Sequence, residues 1–267
     1  MFPLSAATFP SSAAELTRLL NESLTRLFLV EVEPVSIREE SYPHLEKLSI
    51  LLDGARLRAD PPRPPVIIGK TSPALEIDEF DLSASPLSLE AAAVHLSLSA
   101  REVRLGQGKD AAGQILLSLE SAADGHIEIS LPQTDLEALV ATLARNQASK
   151  QGITIDGVQL KLTQKNSHSL AAEVRVRARK LFLSASIQVT GRLDLDDQLN
   201  LRISDLNCTG DGGMATMACG ILKPYLQKFD GREFPLMSLP LGEIRLRDMQ
   251  LSVGDQLCVT AEFGSPA

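Results

Sequence analysis

The chain has 267 residues, of which 44% are hydrophobic and only 4% aromatic, with no Trp, so its apolar material is mostly aliphatic. That length holds one large or two small domains, and a charged fraction of 22% excludes wholesale disorder. A net charge of −8 with no basic run repels phosphate backbones, which excludes generic nucleic-acid binding.

Residues 1–11 read as an N-terminal tail. Met1 to Ala14 shows no basic stretch followed by a long apolar one, so no secretory signal is visible, and no apolar run reaches membrane-spanning length. The first helix is expected from Ser12. Ser12 and Glu15 have capping-box spacing, and Leu16, Leu19, Leu20, Leu24, Leu27 and Phe28 then recur at helical spacing.

Strand patterns follow. Leu48, Ile50 and Leu52 alternate with other residues, as do Val94, Leu96 and Leu98, then Ile115, Leu117 and Leu119, then Ile127, Ile129 and Leu131. Pro61-Pro62-Arg63-Pro64-Pro65 between them predicts a stiff, extended connection. A second helix is expected from Thr134, with Glu137 completing another capping box and Leu136, Leu139, Val140 and Leu143 forming its stripe. Four strands come next, marked by Val158 to Leu162, Ala172 to Val176, Leu181 to Val189, and Leu199 to Ile203. A third helix starts near Asp211 and carries Met214, Met217, Ile221, Leu222, Tyr225 and Phe229. Pro224 should kink or shorten it and Gly231 should end it. The last strands carry Ile244 and Leu246, Leu251 and Val253, and Leu257 to Phe263.

Period-two alternation gives each strand one wet and one dry face, and the short polar turns join antiparallel neighbours. Three apolar helices are the obvious cover for the dry face. The expected class is therefore α+β, a long antiparallel meander interrupted by helices. A helix-then-strands pattern occurs over about 12–131 and again over about 134–263, which reads as two pseudo-repeats of one domain spanning 12–263.

No catalytic constellation emerges. His44, His95, His126 and His168 have no second His or Cys at ligand spacing and read as surface residues, so no metal site is expected. Gly210-Asp211-Gly212-Gly213 lacks the Lys of a phosphate-binding loop and reads as loop geometry. The carboxylate groups Glu39-Glu40, Asp78-Asp81 and Asp194-Asp196-Asp197 are expected beside turns and solvated, which suits no acid–base pair. Cys208, Cys219 and Cys258 match no zinc spacing and are an odd count. They read as free, buried thiols in a reducing compartment. Arg175, Arg177, Arg179 and Lys180 alternate with Val174, Val176 and Ala178. They read as the solvated face of a strand or as a patch for anionic headgroups. Met214 and Met217, one turn apart, fit either core packing or the wall of an adaptable apolar site.

The run Ser130-Leu131-Pro132-Gln133-Thr134-Asp135-Leu136-Glu137-Ala138-Leu139 carries a strand into a helix. Ile155-Asp156-Gly157-Val158-Gln159-Leu160 then opens the meander. Phe234-Pro235-Leu236 precedes Leu241-Gly242-Glu243-Ile244-Arg245-Leu246, and the chain closes on Met249-Gln250-Leu251-Ser252-Val253. This order of elements, from about Ser12 to Phe263, resembles the DUF2993 (LmeA-like) family of bacterial proteins. The resemblance implies a TULIP-like (tubular lipid-binding) fold: a long, strongly curved antiparallel β-sheet wrapped round helices, with an apolar groove between them. It implies phospholipid binding, a cell-envelope setting and no catalytic residues. Many family members carry an export signal or anchor, which this sequence does not show, so as written the chain reads as cytoplasmic or peripheral to a membrane.

The expectation is thus a non-enzymatic protein that binds, and in one reading transfers, a phospholipid or other long-chain apolar ligand without a cofactor. The groove is expected along the second and third helices, lined by Leu136, Leu139, Val140, Leu143, Met214, Met217, Ile221, Leu222 and Tyr225. Expected partners are the lipid, a membrane surface touched peripherally, and a second copy of the chain through an exposed sheet edge. The alternative is a structural or interaction protein of the same fold whose core is closed.

Overall fold

Residues 2–62, 65–89, 92–149, 152–180, 183–236 and 245–265 are described by a computed structural model. Leu181, Ile244, the Arg63-Pro64 part of the proline run and residues 241–244 of the closing motif lie outside them. The class is α+β with strands dominant. Contacts divide the chain into two units. The first takes residues 1–129, 240–248 and 260–267, and the second takes 130–239 and 249–259. The division after Ile129 falls close to the expected repeat boundary, but the C-terminal strands are shared between the units.

The first unit begins with β1 (Phe2–Pro3) and α1 (Ala13–Leu27), then β2 (Phe28–Leu29), β3 (Val35–Ser41), β4 (His44–Leu51), β5 (Arg56–Leu57), β6 (Ile68–Leu89), β7 (Ala92–Lys109) and β8 (Ile115–Ser121). Strands β9 (Asp124–Pro132), β15 (Arg245–Val253) and β16 (Gln256–Gly264) join them in a sheet ordered β15-β16-β9-β7-β6-β4-β3. The expected tail is instead built in: β1 pairs with β8, and Leu4 is fully buried. An apolar side chain three residues from the chain start adds to the core as well as any other.

Ser12 caps α1 as expected, its Oγ accepting from the Glu15 N–H at 3.3 Å. The reciprocal bond goes elsewhere, because the Glu15 carboxylate accepts from the backbone N–H of Ser11 at 2.8 Å and from its hydroxyl at 3.0 Å. Leu16, Leu19, Leu20 and Leu24 face inward and are buried. Asn21, also buried, holds the chain entering β3 by accepting from the Val35 N–H at 3.0 Å.

The sheet of this unit is not purely antiparallel, a correction to the sequence reading. Strands β4 and β6 run parallel, with Leu48 opposite Phe80 and Ile50 opposite Leu82, and β5 also pairs parallel with β6. Parallel neighbours need a crossover of a dozen or more residues, and residues 52–67 supply it. Strand β7 then pairs antiparallel with β6, placing Ala100 opposite Phe80, Leu98 opposite Leu82 and Leu96 opposite Ala84.

The second unit holds α2 (Gln133–Ser149), β10 (Thr154–Asn166), β11 (Ser169–Lys180), β12 (Leu183–Leu195), β13 (Asn200–Gly210), α3 (Gly213–Phe229) and β14 (Glu233–Pro235). Its strands form the expected antiparallel meander, in the order β10-β11-β12-β13-β14. The register sets Val158, Val176 and Ile187 in one apolar row and Leu160, Val174, Val189 and Cys208 in the next. Gln159, Arg175 and Gln188 share a row on the opposite, polar face.

The expected capping box on α2 does not form. The Glu137 carboxylate instead accepts from the Leu160 N–H at 2.7 Å, while the Gln133 amide donates to the Leu160 carbonyl at 3.3 Å. Leu160 lies on an edge strand, whose outward backbone groups need partners. Two side chains of α2 satisfy both. Helix α3 runs through Pro224 to Phe229, and Gly231 follows it at φ +74°, the left-handed conformation that suits a chain leaving a helix.

The cysteine expectation is also corrected. Cys208 and Cys219 form a disulfide with their Cα atoms 5.4 Å apart, tying α3 to β13, and Cys258 is half-buried outside it. Cys208 sits on the apolar face of the sheet, opposite Val189, and the chain reverses through Gly212 and Gly213. Eleven residues of separation then bring the two sulfurs together. An odd count obscured this because one cysteine lies outside the pair.

Candidate functional site: an apolar cavity beside helix α1

A cavity of about 450 Å³ lies inside the first unit. Helix α1 supplies Leu20, Leu24 and Leu27, and Phe28 continues the wall. The sheet supplies Leu48 and Ile50 from β4, Ile77, Phe80 and Leu82 from β6, and Leu96, Leu98, Ala100, Val103 and Leu105 from β7. Strand β8 adds Leu117 and Leu119, and Phe2 and Phe263 come from the two chain ends. The strand periodicity explains the convergence. Leu96, Leu98 and Ala100 share one face of β7, and their partners Leu82 and Phe80 point the same way from β6.

Every described lining residue except Ser118 is apolar. The Ser118 hydroxyl is turned to the Gly106 carbonyl at 3.5 Å. Among the described residues no titratable side chain lines the cavity. An apolar cavity of ~150 Å³ stays dry and takes one benzene. This one is about three times that size, and it falls in the range of ligand pockets of ~300–1,000 Å³. Phe263 reaches the wall only because residue 125 is glycine. A Cβ there would stand 2.2 Å from the Phe263 ring.

A charged basin of about 510 Å³ borders the same strands and shares Ala100 and Phe263 with the cavity; its charged and titratable residues are Lys47, Glu79, Asp81, Arg101, Asp124, His126, Arg247 and Glu262. Six of these groups are already engaged. The Lys47 ammonium lies 2.5 Å from Asp81 and 3.3 Å from Glu79, and Arg101 makes a bidentate contact with Asp124. Arg247 donates to the Ala123 and Ser265 carbonyls. The Arg101 guanidinium holds the Asp124 carboxyl below the usual carboxylate range, with weaker help from Arg247. A general acid needs the opposite shift.

Asp78 and Asp81 were expected beside a turn. They lie mid-strand in β6, where the parallel register brings them to His44 and Lys47 of β4. Asp78 accepts from His44 at 2.8 Å and raises the imidazole pKa, an effect that burial opposes and Glu40 and Glu76 reinforce. His95 bonds to the Ser85 hydroxyl at 2.8 Å, and His168 lies 3.2 Å from that of Ser167. Asp196 caps its own turn by accepting from the Gln198 and Asn200 N–H groups. Arg175, Arg177 and Arg179 are exposed, Arg175 pairing with Glu173 and Arg179 with Asp156.

The nine residues expected to line a groove all belong to the second unit, and none lines this cavity. Leu136, Leu139 and Val140 of α2 are half-buried, as are Met214 and Leu222 of α3. Leu143, Met217, Ile221 and Tyr225 are exposed. Of the residues that line the cavity, Leu20, Leu24, Leu48, Ile50, Leu96, Leu98 and Leu117 carry a helix or strand periodicity, whereas Phe2 falls in the expected tail and the β6 residues carry no strand expectation. Periodicity says that a side chain points inward, not whether the space it faces is filled.

Among the described residues no cluster of His, Cys, Asp or Glu is arranged to hold a metal, and no helix is long and apolar enough to cross a membrane. No family model, curated protein or solved structure matches the chain.

Proposed function

We propose that the protein binds one long-chain apolar ligand, such as the acyl chain of a phospholipid, in the cavity beside α1. The observation that carries this reading is the lining. It is a space of about 450 Å³ walled by aliphatic and aromatic side chains, with no charged group among the described residues and one hydroxyl already engaged. Burying a methylene contributes about 0.8 kcal/mol. A dozen methylenes would supply roughly 10 kcal/mol before ordering costs, with no headgroup recognition required. The headgroup would remain outside, and the protein would select by chain length.

The packing of the α1 leucines against a large sheet supports a TULIP-like reading of this unit, a curved sheet wrapped on a helix with the cavity as its groove. It keeps the resemblance to the DUF2993 (LmeA-like) family as part of the proposal. The Cys208–Cys219 disulfide supports an oxidising compartment, as a cell-envelope setting provides, over the cytoplasm.

Gentle purification from an expression host, followed by solvent extraction and mass spectrometry, tests the reading. A bound lipid at near-unit stoichiometry is expected, together with uptake of a fluorescent fatty acid by delipidated protein. A chain that purifies empty and takes up nothing from vesicles would mark the cavity as a packing void and the protein as a structural one.

A further inference from the structure

Helix α3 is apolar on both sides. Ala215, Cys219, Leu222 and Leu226 face inward, and Ala215 is fully buried. The disulfide from Cys219 to Cys208 fixes that side against β13. The outward side then has a set direction, and it presents Met217, Ile221 and Tyr225, which are 62%, 54% and 65% exposed. They stand four residues apart, so they form one stripe. With Phe229, also exposed, the stripe is about 18 Å long at 1.5 Å per residue. Large apolar side chains exposed in one continuous row mark an interaction surface, so this side calls for a cover.

The charges around the stripe say what kind. The chain carries a net charge of −8, yet Gly213 to Phe229 contains no Asp or Glu and has Lys223 and Lys228. Arg232 follows, with its guanidinium 5.8 Å from the Phe229 ring and 4.9 Å from the Phe234 ring. None of the three cations has an ion pair among the described residues. The nearby carboxylates are engaged, since Asp230 accepts from the Leu206 N–H at 3.0 Å and Glu233 pairs with Arg202. Asp211 stands at the far end, before the helix begins.

We propose that α3 docks on an anionic lipid bilayer. Met217, Ile221 and Tyr225 enter the boundary between headgroups and acyl chains, and Lys223, Lys228 and Arg232 meet the headgroup charges. An apolar stripe flanked by cations is the pattern of helices that lie in the membrane interface, and tyrosine suits that depth. The inference deepens the lipid-binding reading, since a protein that exchanges lipid must meet a bilayer.

The chain has no Trp, so Tyr225→Trp in the full-length protein gives a single reporter. Its emission should shift to the blue with phosphatidylcholine vesicles containing phosphatidylglycerol, shift much less with phosphatidylcholine alone, and lose the shift as salt rises. Each cation near an anionic surface is worth about fivefold in affinity. Lys223→Gln, Lys228→Gln and Arg232→Gln together should weaken binding on the order of a hundredfold. Ile221→Asp should abolish it with little change in the melting curve, because more than half of the side chain is already in solvent. No blue shift with the anionic vesicles would overturn the proposal. A shift that grows with protein concentration in the absence of lipid would overturn it too, by seating a second copy on the stripe. Fatty-acid uptake separates the two readings. Ile221→Asp that loses docking but keeps uptake of a monomeric probe supports both, whereas docking without any uptake defeats only the cavity.

Discussion

Ala100→Leu decides between an open cavity and a closed core by the sign of its effect. Ala100 is buried in β7, shares a face with Leu98 and stands opposite Phe80, and all three line the cavity. The substitution adds three carbons on the cavity side. If the space is open, burying them contributes about 2.4 kcal/mol at ~0.8 kcal/mol each. Fixing the leucine rotamer costs about 0.5–1 kcal/mol, so the apo protein should gain about 1.5 kcal/mol. If the space is already filled, the same carbons overpack it and cost about 1–3 kcal/mol. Urea unfolding of delipidated protein, compared at equal slope, reads the difference as a shift in midpoint. Fatty-acid uptake should fall in the same variant, because three of the carbons a ligand would place there are now covalent. Destabilisation with unchanged uptake would refute the reasoning.

Cys208→Ser opens a loop whose ends are 11 residues apart in sequence. It should cost about 2–3 kcal/mol on the chain-entropy estimate, read as a lower urea midpoint that reductant reproduces in the wild type and not in the variant. Glu137→Ala leaves the Leu160 N–H at the sheet edge without its 2.7 Å acceptor and should cost about 1–2 kcal/mol, with faster amide exchange at Leu160 as the local sign. His44 binds its proton more tightly folded than unfolded, because Asp78 favours the charged ring. Its contribution is therefore fully present below the ordinary value of 6.5 and is lost as pH rises through the higher folded value. The melting temperature of the wild type should drop slightly across that window, and His44→Gln should flatten the profile.

Local chemistry was legible where one short stretch of chain carries it. Ser12 caps α1, Leu16 to Leu24 turn inward, the β10–β13 meander pairs as its alternation predicts, and Gly231 takes a positive φ after α3. What failed depended on residues far apart. Glu137 has capping-box spacing, but a strand 23 residues later offers its carboxylate a better donor. Asp78 and Asp81 look like turn residues until a parallel pairing lays them beside His44 and Lys47. Cys208 and Cys219 look free until the chain reverses between them.

The aliphatic composition and the two periodicities determined by themselves that strands with one dry face would meet leucine-rich helices, because each apolar stripe must leave water. Only the tertiary structure decided where that meeting is incomplete. A cavity is a shortfall of volume among side chains drawn from five strands, a helix and both chain ends, and no window of sequence contains the sum. The same limit hid the outward side of α3. Met217, Ile221 and Tyr225 have the spacing of core residues, and it took the disulfide at Cys219, which commits the opposite side to the sheet, to leave them facing out.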